Sequence, residues 1–151
     1  MKTLSVKQPW AYLLCAGIKD IENRTWKLPE KYKGERVLIH ASGKPVMRGF
    51  YGVPFPDEFW NNLSDKGKDK LAGDIDVRSA IIGSVRFVDC TFNHHSIWAE
   101  KSEGVATGGH VINVNKPITW NWVVADPILF DKPILNVKGK LNFWNYEIEK
   151  I

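Results

Sequence analysis

The stretch Ala80-Ile-Ile-Gly-Ser-Val-Arg-Phe-Val-Asp-Cys-Thr-Phe92 limits the fold more than any other part of the chain. It is long, rich in β-branched and aromatic residues, and interrupted only by Gly83, so it reads as a strand with a bulge or sharp bend near its start. A strand that bends belongs to a sheet that curls, and a curled sheet approaches a barrel.

The other segments fit around it. Thr3 to Lys7 alternate apolar and polar, as a half-buried strand requires. Pro9 suits a first helical turn and Gly17 a helix end, which predicts a helix over Trp10 to Ala16. Arg36 to Ser42 is apolar on both faces, predicting a central strand covered from two sides. Trp120–Asp126 and Ile128–Phe130 read as a strand pair or one broken strand, with Pro127 at an edge or bulge, and Gly139 to Ile148 as a closing strand. A doubly wound parallel sheet would need a helix between most strands, and the second half supplies none. The expected class is therefore α+β, mainly β: a small barrel of five or six strands with flanking helices.

With 151 residues, 44% of them hydrophobic and seven each of Trp and Phe, the chain can bury a core as one domain over 1–151. Residues 43–79, with frequent Gly, Pro and Lys, read as an elaboration over that core, holding one amphipathic helix or two short ones between Asp57 and Ala72. Cys15 and Cys90 are expected as small buried hydrophobes rather than a bridge. No apolar run approaches the roughly 20 residues of a membrane span, and the reading is a cytoplasmic protein with no membrane partner. A net charge of +4 and a pI near 9.0 lean mildly toward an anionic partner.

Chemistry concentrates in Gly17-Ile-Lys-Asp-Ile-Glu-Asn-Arg-Thr-Trp26. On a strand, Glu22, Arg24 and Trp26 share one face and Ile21, Asn23 and Thr25 the other. Lys19 and Arg24 suit phosphate, Trp10 or Trp26 offers a flat face to a base, and Glu22 suits a base amino group or a general-base role. The alternative is that Glu22 and Arg24 simply pair with each other or with Lys19, and Trp26, Trp122 and Trp144 read first as core or barrel-closing residues. His40 ends a buried strand, as a structural residue or as a base. His94 and His95 would face opposite ways on an extended strand, His110 stands alone, and no metal site is expected. Ser42 and Lys44 follow His40 without making a nucleophilic triad. Asn93 to Pro117 has little periodicity and is expected as a mobile or ligand-facing loop, with or without a short helix.

Taken in order, Ser5-Val-Lys-Gln-Pro-Trp-Ala11, Gly17-x-Lys19-x-x-Glu22-x-Arg24, Tyr32-Lys-Gly34, Ile39-His-Ala-Ser42, Ile81-Ile-Gly-Ser-Val85, Trp122-Val-Val-Ala-Asp126 and Lys138-Gly-Lys-Leu-x-x-Trp144 resemble the ASCH domain family. The resemblance covers most of the chain outside 43–79 and implies a PUA-like barrel. Its cleft, between the first helix and the barrel, would receive RNA or a modified nucleoside without a cofactor. Carried onto this sequence, the ligand-binding residues would be Lys7, Gln8, Trp10, Lys19, Glu22, Arg24, His40 and Ser42. Some ASCH relatives hydrolyse the amide of acetylated cytidine with a lysine, a threonine and a glutamate, and another is described as a ribonuclease. Lys19 matches that lysine, but Glu22 stands at the threonine, so the nucleophile position lacks a hydroxyl. The resemblance thus implies a binding module first. A metal-independent hydrolase using Lys19 and Glu22 is the alternative, and a protein-interaction module a third reading.

Overall fold

The structure, a computed structural model, describes residues 1–47, 50, 52–103 and 117–148. Among the described residues six strands form one mixed sheet: β1 (Lys2–Val6), β2 (Ile21–Arg24), β3 (Arg36–Ala41), β4 (Ala80–Thr91), β5 (Trp120–Ile134) and β6 (Phe143–Asn145). Their spatial order is β2-β5-β4-β3-β1-β6, and only the β1–β3 pair is parallel. Helix α1 (Trp10–Cys15) follows β1, while α2 (Asp57–Trp60) and α3 (Asp65–Asp74) lie between β3 and β4. The mainly β class expected from the sequence holds, with six strands and a curled, half-barrel sheet. No helix among the described residues is long and apolar enough to cross a membrane.

The curl originates along β4 and β5. Their register shifts between Ile81 and Gly83, between Ser84 and Arg86, and between Phe87 and Asp89, and each shift bends the pair. Gly83 is required for contact rather than for its dihedral angles. A Cβ there would lie 2.1 Å from the Ile128 carbonyl oxygen and 2.8 Å from Cys15 Sγ, so α1 and β5 both press on the bend. The downstream strand is one continuous element, because Asp126 takes a φ of +49° and, with Pro127, occupies a bulge that no ladder bond crosses.

Side chains, not a ladder, draw the two ends of the sheet together. Phe143 of β6 stacks on Trp122 of β5 at 5.8 Å, and Trp26, just beyond β2, meets both rings edge-on at 4.8 and 5.8 Å. Arg24 Nη2 of β2 donates to the Ser5 carbonyl of β1 at 2.9 Å. Trp122 is fully buried and Trp144 nearly so, which agrees with their reading as core residues.

Some boundaries differ from the expectations. Strand β1 is shifted by one residue, and Pro9 stands at the helix cap instead of inside the first turn. Strand β2 stops at Arg24, since the chain bends at Thr25 and Trp26. The closing strand shrinks to Phe143–Asn145, because Asn136 and Asn142, with φ of +58° and +57°, turn the preceding residues into a loop. Residues Asp57 to Ala72 form the two-helix alternative. His94 and His95 lie in a bend beyond β4, and their rings stack at 4.3 Å, so they do not face opposite ways. His110 and residues 104–116 of the expected ligand-facing loop lie outside the described residues.

Gly83→Ala is expected to destabilise the fold at or above the roughly 1–3 kcal/mol typical of overpacking, because one obstacle is backbone and cannot rotate away. Gly73→Ala, in α3 with nothing near the added methyl, should instead gain about 0.5–1 kcal/mol. Urea unfolding of both variants checks the contrast.

Candidate functional site

Helix α1 ends at a left-handed Gly17, whose φ is +77°. The amides of Ile18 and Lys19 then both donate to the Leu13 carbonyl, at 3.0 and 2.9 Å, which turns the chain back under the helix. Lys19 is thereby driven inward and is only 3% exposed. Its Nζ donates to the Ile21 carbonyl, lies 3.8 Å from Glu22 Oε1 and sits 5.2 Å over the Trp10 ring. Burial pushes the Lys19 ammonium below the usual lysine range, and the Glu22 carboxylate opposes that shift.

Glu22 is itself 4% exposed and lies between two cations. Its Oε2 accepts from Arg24 Nε at 3.0 Å and from Arg24 Nη2 at 2.8 Å. The shared face predicted for Glu22 and Arg24 therefore exists, and pairing is what it first accomplishes. Two cavities flank this cluster, with Trp10, Glu22 and Asn23 lining both. The smaller, about 180 Å³, also contains Lys19 and Glu100. The larger, about 370 Å³, contains Arg24, Lys7, Lys140 and Ser42. Acidic groups thus face the first cavity, whereas the second is bordered by cations apart from the paired Glu22.

The residues singled out from the sequence divide between cleft and core. Lys7, Trp10, Lys19, Glu22, Arg24 and Ser42 line one or both cavities. Gln8 does not: its Oε1 accepts from the Tyr12 amide at 3.0 Å and its Nε2 donates to the Val77 carbonyl at 2.9 Å, tying α1 to the end of the 43–79 segment. His40, 1% exposed, lines neither cavity. The Val137 carbonyl, 2.7 Å from Nε2, can only accept, so Nε2 carries the proton and Nδ1 takes the Ser5 hydroxyl at 3.0 Å. Trp144 Nε1 completes that chain by donating to Ser5 Oγ at 3.2 Å.

Two asparagines that motif reasoning passed over build the cleft's far wall. Asn121, fully buried, donates to Asn23 Oδ1 at 2.9 Å and to the Glu100 carbonyl at 3.1 Å, and accepts from the His94 amide at 3.0 Å. Asn23 donates to the Trp98 carbonyl and accepts from the Glu100 amide, both at 3.0 Å. The signal was a polar residue between Trp120 and Trp122, in a strand otherwise apolar at that point. Phe55 and Phe59 pack against the same region, contacting Trp10 at 5.8 Å and Trp98 at 5.0 Å respectively.

Comparison with known proteins gives a family match. The model of the ASCH domain matches residues 4–134. Crystal structures of ASCH from Zymomonas mobilis and of two of its mutant proteins are similar at 13% identity and a TM-score of 0.48. They are covered over 72%, 74% and 73% of their length, by 89% of this chain in each case. No curated protein sequence matches.

Glu22→Leu should cost about 3–5 kcal/mol, since it leaves Lys19 buried without its counter-charge. Adding Lys19→Met should restore a large part of that loss, with a coupling of about 1–3 kcal/mol in the double-mutant cycle. The pH dependence has a definite sign. The folded state holds the Lys19 proton less tightly than the unfolded state, so this residue's contribution to stability rises with pH between the lowered folded value and the ordinary lysine value. Comparing wild type with Lys19→Met over an alkaline series of urea melts should show that rise in the wild type only.

Proposed function

Because the chain belongs to the ASCH domain family, whose PUA-like fold is associated with RNA binding, we propose that it binds RNA or a modified nucleoside in the cleft between α1 and the curled sheet. The observation that carries this reading is the Lys19–Glu22–Arg24 cluster on the wall shared by the two cavities. Paired with two cations, Glu22 is a carboxylate and only accepts hydrogen bonds, which suits the amino edge of a base. Arg24 retains about a quarter of its side-chain surface and faces the cavity bordered by Lys7 and Lys140, which suits phosphate. Trp10, held by Phe55 and Trp98, adds an aromatic surface between the two, and base–aromatic contacts of this kind contribute about 1–3 kcal/mol each.

One feature favours a second reading, hydrolysis of a nucleoside or RNA. Lys19 is a buried amine with a lowered proton affinity beside a carboxylate, an arrangement that can activate water. Against it, Glu22 is held by Arg24 through two hydrogen bonds and its position offers no hydroxyl nucleophile.

Fluorescence anisotropy and calorimetry with single-stranded RNA, double-stranded RNA and modified nucleosides, acetylated cytidine included, test the primary reading. Binding should weaken about 10–100-fold in Arg24→Ala, the loss of a charge-assisted contact, and should weaken with added salt. No binding across the panel by folded wild-type protein would end that reading. Release of acetate or of cut RNA, abolished in Lys19→Ala, would establish hydrolysis instead.

A further inference from the structure

The loop from Val137 to Asn142 is not absorbed by the cluster just described, although the larger cavity ends on it. Leu141 is 90% exposed, the most exposed large hydrophobic among the described residues. A leucine in that position gains no burial from folding and is available for contact with a ligand. Lys140 precedes it and Lys138 lies two further back, both exposed, and neither lysine is paired with an acidic group among the described residues. Lys7, exposed at the end of β1, lines the same cavity and is likewise without an acidic partner.

The loop is fixed from below. The Val137 carbonyl accepts a hydrogen bond from His40 Nε2, and the Val137 amide donates to the Ser79 carbonyl at 2.8 Å. At Gly139 a Cβ would lie 2.7 Å from His40 Cε1 and 2.8 Å from Ser5 Oγ, so the backbone is seated directly on the β1–β3 core. Asn142 closes the turn with a left-handed φ of +57°. Leu141 and Lys140 are therefore held in a set position on the lining of the cavity that Glu22 and Arg24 also border.

Resting on the cleft reading above, we infer that the ligand is a nucleotide within a single-stranded RNA chain rather than a free nucleoside. Lys7 and Lys140 contact its flanking phosphates and Leu141 packs against the neighbouring base. A free nucleoside has no phosphate for these lysines and nothing to cover Leu141. A chain running out of the cavity has both, and charge complementarity selects a polyanion over an uncharged partner.

The test compares ribonucleosides, acetylated cytidine among them, with single-stranded hexaribonucleotides carrying the same residue internally. The hexamers should bind at least tenfold tighter than the nucleosides. Leu141→Ala and Lys140→Ala should each weaken the hexamers about fivefold and leave nucleoside binding unchanged, and Lys7→Ala/Lys140→Ala should lower the salt slope by about 1.4, two phosphates' worth. Because all three side chains are exposed, unfolding transitions should match wild type and loss of fold is separable from loss of contact. Nucleosides bound as tightly as hexamers, or hexamers indifferent to Leu141→Ala and Lys140→Ala, would overturn this inference while leaving the cleft reading standing. Failure of both ligand classes to bind would overturn the two together.

Discussion

The curled sheet depends on a charge that cannot leave. Glu22, on the short edge strand β2, is buried beside Lys19 and Arg24, and Arg24 reaches across the open side of the sheet to the Ser5 carbonyl of β1. Removing Lys19 and Glu22 from water is costly, and each is kept only because its neighbours, the partly exposed Arg24 among them, replace the lost solvation. The ion cluster therefore does what a missing ladder would do: it fixes how far β2 stands from β1, and with that distance the width of the cleft. Affinity for a ligand and closure of the sheet draw on the same three side chains, so the site is stiff where it is most polar.

Apolar closure complements the polar one. Phe143, Trp122 and Trp26 bring the β6 end of the sheet to the β5–β2 end, while Asn121 and Asn23 hold residues 93–102 as the opposite wall. The two kinds of contact differ in tolerance. Aromatic rings adjust by small rotations, whereas a fully buried asparagine with three partners has no alternative geometry that satisfies them all.

How much of this could be read from the residues depends on whether the determinant is local. The strand period around Glu22 and Arg24, the bend at Gly83 and the double burial of the third strand are local, and the structure carries all three, the last over residues 37–41 with Ser42 beyond the strand end. The role of His40 is not local, because it rests on Val137, Ser5 and Trp144, which are distant in sequence. Gln8 looks like part of an exposed motif, yet its amide is spent on Tyr12 and Val77. The closing strand looked longer than it is, since asparagines can adopt left-handed conformations and nothing in an alternating pattern says whether they will. His94 and His95 misled in the same way: alternation presupposes extended backbone, and the chain bends there.

The placement of β6 has a kinetic meaning. It pairs with β1, so residues near the start of the chain are neighbours of residues near 145, while the other partner of β1 is β3 in a parallel arrangement. Non-local and parallel pairings are slow to form, because a large loop must close before either returns any contact energy. Of the six strands, β1 would emerge before the others and β6, its second neighbour, after them. Until Phe143 arrives to stack on Trp122, the growing chain would leave one face of that indole uncovered beside the bare edge of β1, a surface on which another unfinished chain could pair.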